Sequence, residues 1–377
     1  MWFAGAGGMS RRYRIRMFVH SIISDWNNGN AHFLRGLVQS LMDRGHQVRC
    51  FEELGAWSVN SLMKTEGDRA IKSIDQFRAA YPSIDIQFYQ QNDELPRSLD
   101  EQLKDCDVVI IHEWNDPALV NQVLALKEKH KFIALFHDTH HRAISALNEL
   151  LRFQLHLFDG VLTFGEALRK IYKDGLGIKK VWTFHEAADV DKFKPQPQPQ
   201  EVDVCWIGNW GDEERSKELE DFLIRPCEEL KLRTVVHGVR YPAEALDKLS
   251  QAGLEYCGYL PNLCAPKIYA RSLLSLHVPR MQYADKLAGV PTIRVFEALA
   301  CGVPLLCAPW KDDEGLFRKE DYVTAKNGEA MRAEMRHFLK DGRARKQLAA
   351  NGRETVLLKH TCGHRAEQLA GILGELA

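Results

Sequence analysis

The chain has 377 residues, of which 45% are hydrophobic, and it carries 50 basic against 51 acidic side chains. A chain of this length exceeds what one core usually organises, so we expect two domains, each with its own core. The formal net charge of −1 provides no global field to attract nucleic acid or an anionic membrane. No nucleic-acid partner is therefore expected, and any anion site has to be local.

Cysteine usage and the length of apolar runs indicate the compartment. The nine cysteines include no C-x-x-C pair, which argues against a disulfide framework or a zinc site and favours a reducing, cytoplasmic location. No apolar run is as long as a membrane-spanning helix, so we expect no transmembrane segment. Residues 1–13 are unlike a signal peptide, and we interpret them as a disordered or tag-like extension.

The first half of the chain alternates strands and helices. A strand at 15–20, a polar loop at 24–30, a helix at 31–44 and a strand at 47–51 form a βαβ unit. Its loop follows the carboxyl end of a strand, where open α/β sheets bind ligands. Further strands are predicted at 84–89, 108–111, 132–136, 160–164 and 180–183, and helices at 116–130 and 143–158. The alternation predicts a parallel sheet in an N-terminal Rossmann-like domain over 14–193.

A proline- and glutamine-rich run at 194–200 favours an extended spacer, and we interpret it as the domain linker. The alternation of strands and helices resumes beyond the linker, which predicts a second Rossmann-like domain over 201–360. Its predicted strands lie at 202–207, 233–237, 254–256, 273–278 and 304–308, with helices at 216–230 and within 328–358. Thr361 is suited to cap a final helix over 361–377. Two α/β halves joined by a linker form a cleft.

The segment 289–304 is the most informative one for function. Pro291 suits the first turn of a helix and Gly302 suits its end, so a helix is predicted over 292–301. Free N–H groups at a helix start favour phosphate, and a carboxylate one turn further in, here Glu297, can accept hydrogen bonds from vicinal sugar hydroxyls. This combination describes a sugar-nucleotide site. The alternative is an ordinary amphipathic helix on which Arg294 and Glu297 form a surface pair.

With both halves, the linker and this helix in place, the chain resembles a GT-B glycosyltransferase of the family 4 kind. It is similar, more closely, to the spore-maturation CgeB-like glycosyltransferases. The stretches that carry the resemblance are NGNAHFLRGL at 28–37, EAADVDKFKP at 186–195, WIGNWGD at 206–212, TIRVFEALACGVP at 292–304 and HTCGHR at 360–365. The resemblance implies an α/β fold of two Rossmann-like domains that face each other across a cleft, with the C-terminal helix packing back on the N-terminal domain.

The resemblance also implies a nucleotide-sugar donor held mainly by the second domain. Glu297 matches the family's second glutamate, which binds the donor ribose, whereas the first glutamate of the E-x7-E pattern falls on Gly289. The family's basic pair falls on Asn209 and Arg215, and Arg280 is available to supply the missing cation. The donor-binding residues assigned in this way are Gly29, Asn30, Gly208, Asn209, Arg215, Tyr259, Arg280, Gly289, Val290, Thr292, Ile293, Arg294 and Glu297.

Without the resemblance, several of these residues have a structural interpretation that involves no ligand. Arg215 follows three acidic residues at 212–214, and without the resemblance a solvated residue at a helix start is the favoured interpretation. Gly29 is suited to a flexible surface turn. Tyr259 lies in a segment that resembles the one whose backbone reads the nucleobase, and the alternative is a tyrosine packed beside a turn.

Three histidines that follow the predicted strand at 132–136 indicate a catalytic or binding loop. His137 matches the family's histidine near the reacting sugar, and we assign His137, Asp138 and Glu113 as catalytic, although Glu113 is also placed to cap the next helix. His140 and His141 with Asp138 also resemble metal ligands, but adjacent histidines on one loop rarely converge on one ion, so no metal is assigned. The residues assigned to acceptor binding are Asn28, His32, His140 and His141.

The implied activity is transfer of a hexosyl group from a nucleoside-diphosphate sugar, with retention of configuration, to an unidentified glycan, protein or small molecule. UDP is the first choice of nucleotide and GDP or dTDP the next, and no tightly bound cofactor is expected. Two alternatives stay open. One is a sugar-nucleotide epimerase, and the other is a catalytically silent relative that binds a sugar nucleotide or a partner, which the departures at Gly289 and Asn209 favour.

Overall fold

A computed structural model describes residues 11–377. Residues 1–10 of the predicted N-terminal extension lie outside the described residues. Tyr13, which that prediction included, is buried, and its ring stacks on His46 at 5.7 Å between ring centroids. The ordered core therefore begins at or before Tyr13.

The first half contains a seven-stranded, fully parallel sheet. Its strands are β1 Arg14–Phe18, β2 Gln47–Glu53, β3 Asp85–Tyr89, β4 Val108–His112, β5 Ile133–Asp138, β6 Gly160–Thr163 and β7 Val181–Thr183. Their order is β3-β2-β1-β4-β5-β6-β7. Every residue of β4 and β6 is buried because helices cover both faces of the sheet.

Helices connect these strands. They are α1 Asn30–Asp43, α2 Trp57–Glu66, α3 Asp68–Ala80, α4 Leu95–Leu103, α5 Pro117–Ala125, α6 Lys127–His130, α7 Arg142–Ser145, α8 Leu147–Leu150 and α9 Glu166–Lys170, with a 3-10 turn at Leu155–Leu157 and a π turn at Ile171–Gly175. The predicted helix over 143–158 is wrong: Ala146 has φ −150° and interrupts the helical backbone after one turn. The predicted helix over 116–130 divides at Leu126, and α2, α3 and α4 were not predicted.

The second half contains a six-stranded parallel sheet in the order β10-β9-β8-β11-β12-β13. Its strands are β8 Val202–Ile207, β9 Thr234–His237, β10 Glu255–Gly258, β11 Ser272–His277, β12 Leu305–Cys307 and β13 Val323–Thr324. Its helices are α10 Ser216–Leu219, α11 Arg225–Glu229, α12 Ala243–Gln251, α13 Ala265–Arg271, α14 Ile293–Ala300, α15 Gly328–Lys340, α16 Gly342–Lys359 and α17 Cys362–Leu376. 3-10 turns lie at Asp212–Glu214 and Asn262–Cys264, and π turns at Glu220–Ile224 and Gln282–Lys286.

The predicted α/β architecture with two parallel sheets is confirmed. The chain changes from one sheet to the other between Thr183 and Val202, and residues 194–200 form neither helix nor strand. The domain boundaries themselves stay a prediction. One hydrophobic core continues between the halves, since Phe33 of α1, Phe296 of α14 and Leu369 of α17 belong to the same buried cluster. In the described part of the chain, no helix combines the length and apolar character needed to cross a membrane.

The C-terminal helix packs back on the first half, as predicted. The Thr361 hydroxyl accepts a hydrogen bond from the His364 amide, which caps the start of α17. The Arg44 guanidinium at the end of α1 donates to the Gly363 carbonyl at 3.0 Å, and the Trp182 indole donates to Glu375 at 3.1 Å. These contacts tie the end of the chain to α1 and β7.

Two glycine-to-alanine changes on helices test this packing. A Cβ atom at Gly36 of α1 would lie 2.5 Å from the Cys362 sulfur and 2.8 Å from Asp189 Cβ, so Gly36→Ala is expected to cost about 1–3 kcal/mol of stability. Gly371 of α17 has no atom within 4 Å of such a Cβ, so Gly371→Ala is expected to gain up to about 1 kcal/mol. Thermal melting midpoints should therefore move in opposite directions. Equal midpoints for the two variants would contradict the packing of α1 against α17.

Candidate functional site

Two adjoining cavities lie between the carboxyl ends of the two sheets. The smaller has a volume of about 180 Å³ and the larger about 960 Å³. Loops that follow β1, β8 and β11 line both of them, which is where parallel sheets place ligand-binding loops. The residues that the two cavities share are Asn27, Asn28, Gly29, Asn209, Arg280, Tyr283 and Thr292. The cavities therefore form one continuous space suited to an extended ligand.

The start of one helix from each half points into this space. Gly29 is the N-cap of α1 and Thr292 is the N-cap of α14, and neither helix start has a side-chain cap. Pro291, predicted in the first turn, precedes the N-cap instead. A Cβ atom at Gly29 would lie 3.0 Å from the Ile293 side chain, so glycine lets the two ends approach closely. Two positive helix ends that share one cavity favour a negatively charged ligand.

Arg215 lines the smaller cavity and is held there by neutral groups. Its guanidinium donates to the Val278 carbonyl at 3.1 Å and to the Asn209 carbonyl at 2.7 Å, and it lies 5.1 Å from the centroid of the Trp206 ring. Burial lowers the pKa of Arg215 to about 10, so it remains cationic at neutral pH. Among the described residues, no carboxylate forms an ion pair with it, and its charge stays available to a ligand.

Two further arginines line the same cavity, Arg280 and Arg294. Arg280 pairs with Glu214, and Arg294 pairs with Glu297. Asn209 lies between Arg215 and Arg280. Its side-chain oxygen accepts a hydrogen bond from Arg215 and another, at 3.4 Å, from Arg280. A cavity wall with three guanidinium groups is suited to the oxygens of a diphosphate.

Asn209 also connects the two halves of the chain. Its side-chain amide donates to Asn27 at 2.7 Å across the cleft. Tyr259 makes a second connection: its hydroxyl contacts Asp25 and lies 3.1 Å from the Ser73 hydroxyl. Both residues therefore hold the first half against the second at the edge of the smaller cavity.

Glu297 is fully buried and its carboxylate has partners on every side. It accepts a hydrogen bond from the Asn262 amide at 2.7 Å and pairs with Arg294. His32 lies 3.4 Å away, and because its Nε2 accepts from the Asp189 amide, its proton resides on Nδ1, which faces the carboxylate. Burial lowers the pKa of His32 to about 3, so this ring is neutral.

The positions of Glu297 and His32 differ from what two interpretations of the sequence expect. The i, i+3 pair with Arg294 exists, but it is not a surface pair, since Glu297 has no exposed area. His32 was assigned to the acceptor site, yet it is buried behind α14 and lines neither cavity. Glu297 itself lines neither cavity, and the side chain that reaches the smaller one from this turn of helix is Arg294.

The backbone conformation at position 289 explains why this residue is a glycine. Its φ is +88°, a backbone conformation that favours glycine, and a Cβ atom there would lie 3.1 Å from Glu314 Cγ. A glutamate at this position would be strained and would meet the loop at 313–314. Val290 is fully buried, and neither residue lines a cavity, so their assigned donor contacts are not supported by position.

The three residues assigned as catalytic lie beneath the cavity floor. Glu113 and Asp138 have no exposed area and His137 is almost completely buried. Glu113 accepts from the Thr139 amide at 3.2 Å, and Asp138 accepts from the His140 amide at 2.9 Å and from the Tyr172 hydroxyl at 2.6 Å. These carboxyl groups shape the loop after β5.

The residues of this loop that reach the larger cavity are Thr139, His140 and His141. Burial lowers the pKa of His140 to about 2 and also lowers that of His141, so both are neutral. The His141 ring lies 2.8 Å from the Ser145 hydroxyl. Within residues 11–377, no three His, Cys, Asp or Glu side chains form a group suited to a metal ion.

Most of the assigned residues do reach the cavity surface. Those that line one or both cavities are Asn28, Gly29, Asn30, His140, His141, Gly208, Asn209, Arg215, Tyr259, Arg280, Thr292, Ile293 and Arg294. Those that line neither are His32, Glu113, His137, Asp138, Gly289, Val290 and Glu297. The second group is spread along the chain, and every one of its residues is buried in the protein interior.

Glu186 lines the larger cavity and was not assigned from the sequence. Only 6% of it is exposed, and its carboxyl group lies beside the backbone N–H of Ile293 at the start of α14. Burial, together with the charge of Glu297, raises the pKa of Glu186 to about 8. The stretch 186–195 that carries the resemblance contains this residue, but the sequence alone could not show that it meets a helix start more than a hundred positions later.

Part of the chain is similar in sequence to a family of known proteins. The sequence profile of a family described as glycosyl transferase-like matches residues 215–371, which contain Arg215, Arg280, Arg294 and Glu297. No curated protein sequence matches the chain.

Solved structures show similarity in fold over nearly the whole chain. HepE of Anabaena, solved with UDP and glucose, has 12% sequence identity and a TM-score of 0.67 over 97% of this chain and 100% of that one. Sucrose-phosphate synthase from Thermosynechococcus elongatus has 13% identity and a TM-score of 0.65 over 97% and 99%. An alpha-glucosyltransferase solved with UDP and a 13-mer DNA has 12% identity and a TM-score of 0.68 over 97% and 100%. The chain therefore has the GT-B fold of glycosyltransferases.

Proposed function

We propose that this protein is a glycosyltransferase that transfers a hexosyl group from a nucleoside-diphosphate sugar to an acceptor. The observation that carries the proposal is the meeting of two helix starts, at Gly29 and Thr292, in a cavity lined by Arg215, Arg280 and Arg294. A diphosphate needs this combination of amides and cations. The GT-B fold supports the proposal, since it is the fold of transferases with this type of donor.

The cavity walls suggest how the donor lies. Tyr259, Val239 and Gly238 line the end of the smaller cavity that suits the nucleobase. The diphosphate then lies against the arginines, and the sugar extends into the larger cavity towards Glu186 and His140. UDP is the nucleotide we propose first, because HepE was solved with UDP and with UDP-glucose. No resident cofactor is required by this arrangement.

The chemical task is to stabilise the diphosphate as it leaves while positive charge develops on the sugar. Arg215 and the α14 amides are fixed before the reaction, so they stabilise the leaving group without reorganisation. Retention of configuration, the resemblance to CgeB-like enzymes and a cytoplasmic location are further parts of the proposal. The acceptor approaches through the larger cavity, and His140 is the histidine that we now place beside the sugar in preference to His137.

The experiment is a thermal-shift panel with UDP, GDP, dTDP and CDP, followed by donor hydrolysis. We expect the melting midpoint to rise with one nucleoside diphosphate, as binding to the native state requires. The corresponding sugar nucleotide should then be hydrolysed slowly in the absence of acceptor. Binding without any turnover would favour the silent relative, formation of a new epimer without acceptor would favour the epimerase, and no shift with any nucleotide would overturn the proposal.

A pH dependence follows from Glu186. Its carboxyl group is neutral below a pKa of about 8 and negative above it, and it lies beside the start of α14, whose amides we propose bind the diphosphate. We therefore expect UDP affinity to fall as the pH rises through this value, by up to about tenfold per pH unit once the group is ionised. Glu186→Gln keeps a neutral side chain of the same shape and should remove this fall.

The groups facing Glu186 do not produce the same profile. Burial raises the pKa of Tyr283 and of Cys362 above their ordinary values, so both titrate above that of Glu186, and Arg294 stays cationic. Burial also raises the pKa of Glu297, but this residue is present in both proteins and contributes to both profiles. Isothermal titration of wild type and Glu186→Gln between about pH 7 and 9.5 decides the matter. Parallel profiles for the two proteins would show that Glu186 is remote from the diphosphate.

A further inference from the structure

The larger cavity has an aromatic wall that none of the assigned donor residues forms. Trp57 at the start of α2 is 50% exposed and Trp114 after β4 is 39% exposed. Both line the larger cavity, and in the described part of the chain they are the two tryptophans with the most exposed side chains. An indole in water is unfavourable, so two of them on one cavity wall indicate a ligand.

His20 joins the two indoles into a continuous strip. Its ring lies 6.1 Å from Trp57 and 6.0 Å from Trp114 between centroids. Burial lowers the pKa of His20 to about 4, so the strip is uncharged in the middle. Neighbouring groups hold the indoles in place: Trp26 packs edge-on against Trp57 at 5.2 Å, and the Arg142 guanidinium lies 3.7 Å from the Trp114 ring centroid.

Residues of the second half give the same cavity an acidic wall. Asp212, Glu213 and Glu214 line it, and their negative charge is only partly balanced by Arg240, which pairs with Asp212 at 3.0 Å, and by Arg280, which pairs with Glu214. Glu213 is exposed and has no ion pair within residues 11–377. Carboxylates accept hydrogen bonds from hydroxyl groups and repel anionic ligands.

A sugar ring fits both walls. Its C–H face packs on an indole, while the hydroxyl groups around its edge donate to carboxylates. A volume of about 960 Å³ also leaves room for more than the donor sugar. We propose that the strip of Trp57, His20 and Trp114 is the acceptor subsite and that the acceptor is a neutral saccharide. This inference rests on the proposed transferase function.

The first measurement uses an array of immobilised neutral and acidic glycans, probed with the labelled protein in the presence of UDP. We expect binding to neutral glycans and little binding to uronic acid-containing or sulfated ones. A neutral glycan that binds is then titrated in solution by tryptophan fluorescence and offered as acceptor with the sugar nucleotide chosen by the thermal-shift panel. Mass spectrometry of the glycan detects one added hexose.

Variants locate the subsite. Trp57→Ala and Trp114→Ala are each expected to raise the Kd and KM for the saccharide at least about tenfold, with partial recovery in Trp57→Phe. Leu358→Ala is the matched control, because Leu358 is a 63% exposed apolar side chain on α16, outside both cavities. It should bind and transfer like the wild type.

The outcomes separate this inference from the proposed function. If no nucleoside diphosphate raises the melting midpoint of the wild type, the transferase proposal fails and the subsite with it. If a nucleotide binds but no neutral glycan does, or if acidic glycans bind better, the saccharide assignment is overturned while the donor site stands. Unchanged saccharide affinity in both tryptophan variants would equally overturn the placement of the subsite.

Discussion

Arg215→Met is expected to lower kcat/KM for the donor by about 10²–10³. The guanidinium lines the smaller cavity without a carboxylate partner in the described residues, and its neighbours are two carbonyl groups and an indole ring. Methionine retains much of the side-chain volume and removes only the charge and the donors. The loss should appear in the kinetic constants measured with the donor, because this cation balances the charge that develops on the leaving diphosphate.

The control for this variant is Arg225→Met on α11. Arg225 is 59% exposed and pairs with Glu220 and Asp221, and it lies in the same half of the chain. Its loss should change kcat/KM less than about twofold. Arg215→Lys, which keeps a charge but loses the planar fork, should fall between the two. Equal activities of Arg215→Met and Arg225→Met would remove Arg215 from the site.

Glu297→Ala is expected to lower both stability and donor affinity. Removing the carboxylate leaves the Arg294 guanidinium and the Asn262 amide without their shared acceptor inside the protein. Breaking such a buried pair costs about 3 kcal/mol. Donor affinity should fall as well, because Arg294 lines the smaller cavity and loses the group that orients it. Melting midpoints and UDP titrations measure the two effects separately.

An exposed pair of the same type provides the control. Arg97 and Glu101 on α4 form an i, i+4 ion pair at 3.3 Å, with 88% and 65% of their side chains exposed. Glu101→Ala should change stability by less than about 0.5 kcal/mol and leave UDP binding as it is. Equal melting midpoints for Glu297→Ala and Glu101→Ala would show that the buried network around Glu297 does not stabilise the fold. Loss of stability with normal UDP affinity would assign Glu297 to the fold alone.

The sequence patterns predicted the fold more completely than the site. Twelve of the thirteen strands, the parallel sheets and the capped C-terminal helix follow from local signals: runs of buried β-branched residues, connecting helices and Thr361 before a helix. The two-residue edge strand β13 was not predicted. The error at 143–158 has a local cause too, since Ala146 leaves the helical region at a place where the sequence contains neither glycine nor proline. Propensity does not identify such an interruption, because tertiary packing decides it.

Within the site, the loops were predicted and the side-chain directions were not. The loop after β5 was identified, but His137, Asp138 and Glu113 point into the protein and His140 points into the cavity. Glu186 and the two exposed tryptophans were not assigned at all. Which residue of a loop faces a cavity depends on the segments packed behind it, and those segments are distant in the sequence.

What the sequence determined by itself was therefore the set of elements and the edge of each sheet at which a ligand binds, since both follow from periodicity and strand direction. The tertiary structure alone decided that Glu297 points inward, where it accepts a hydrogen bond from Asn262 and lies 3.4 Å from His32, and that Glu186 meets the start of α14. Each of these contacts joins residues from distant parts of the chain. Their geometry is set by the packing of the two halves against each other, which no local pattern encodes.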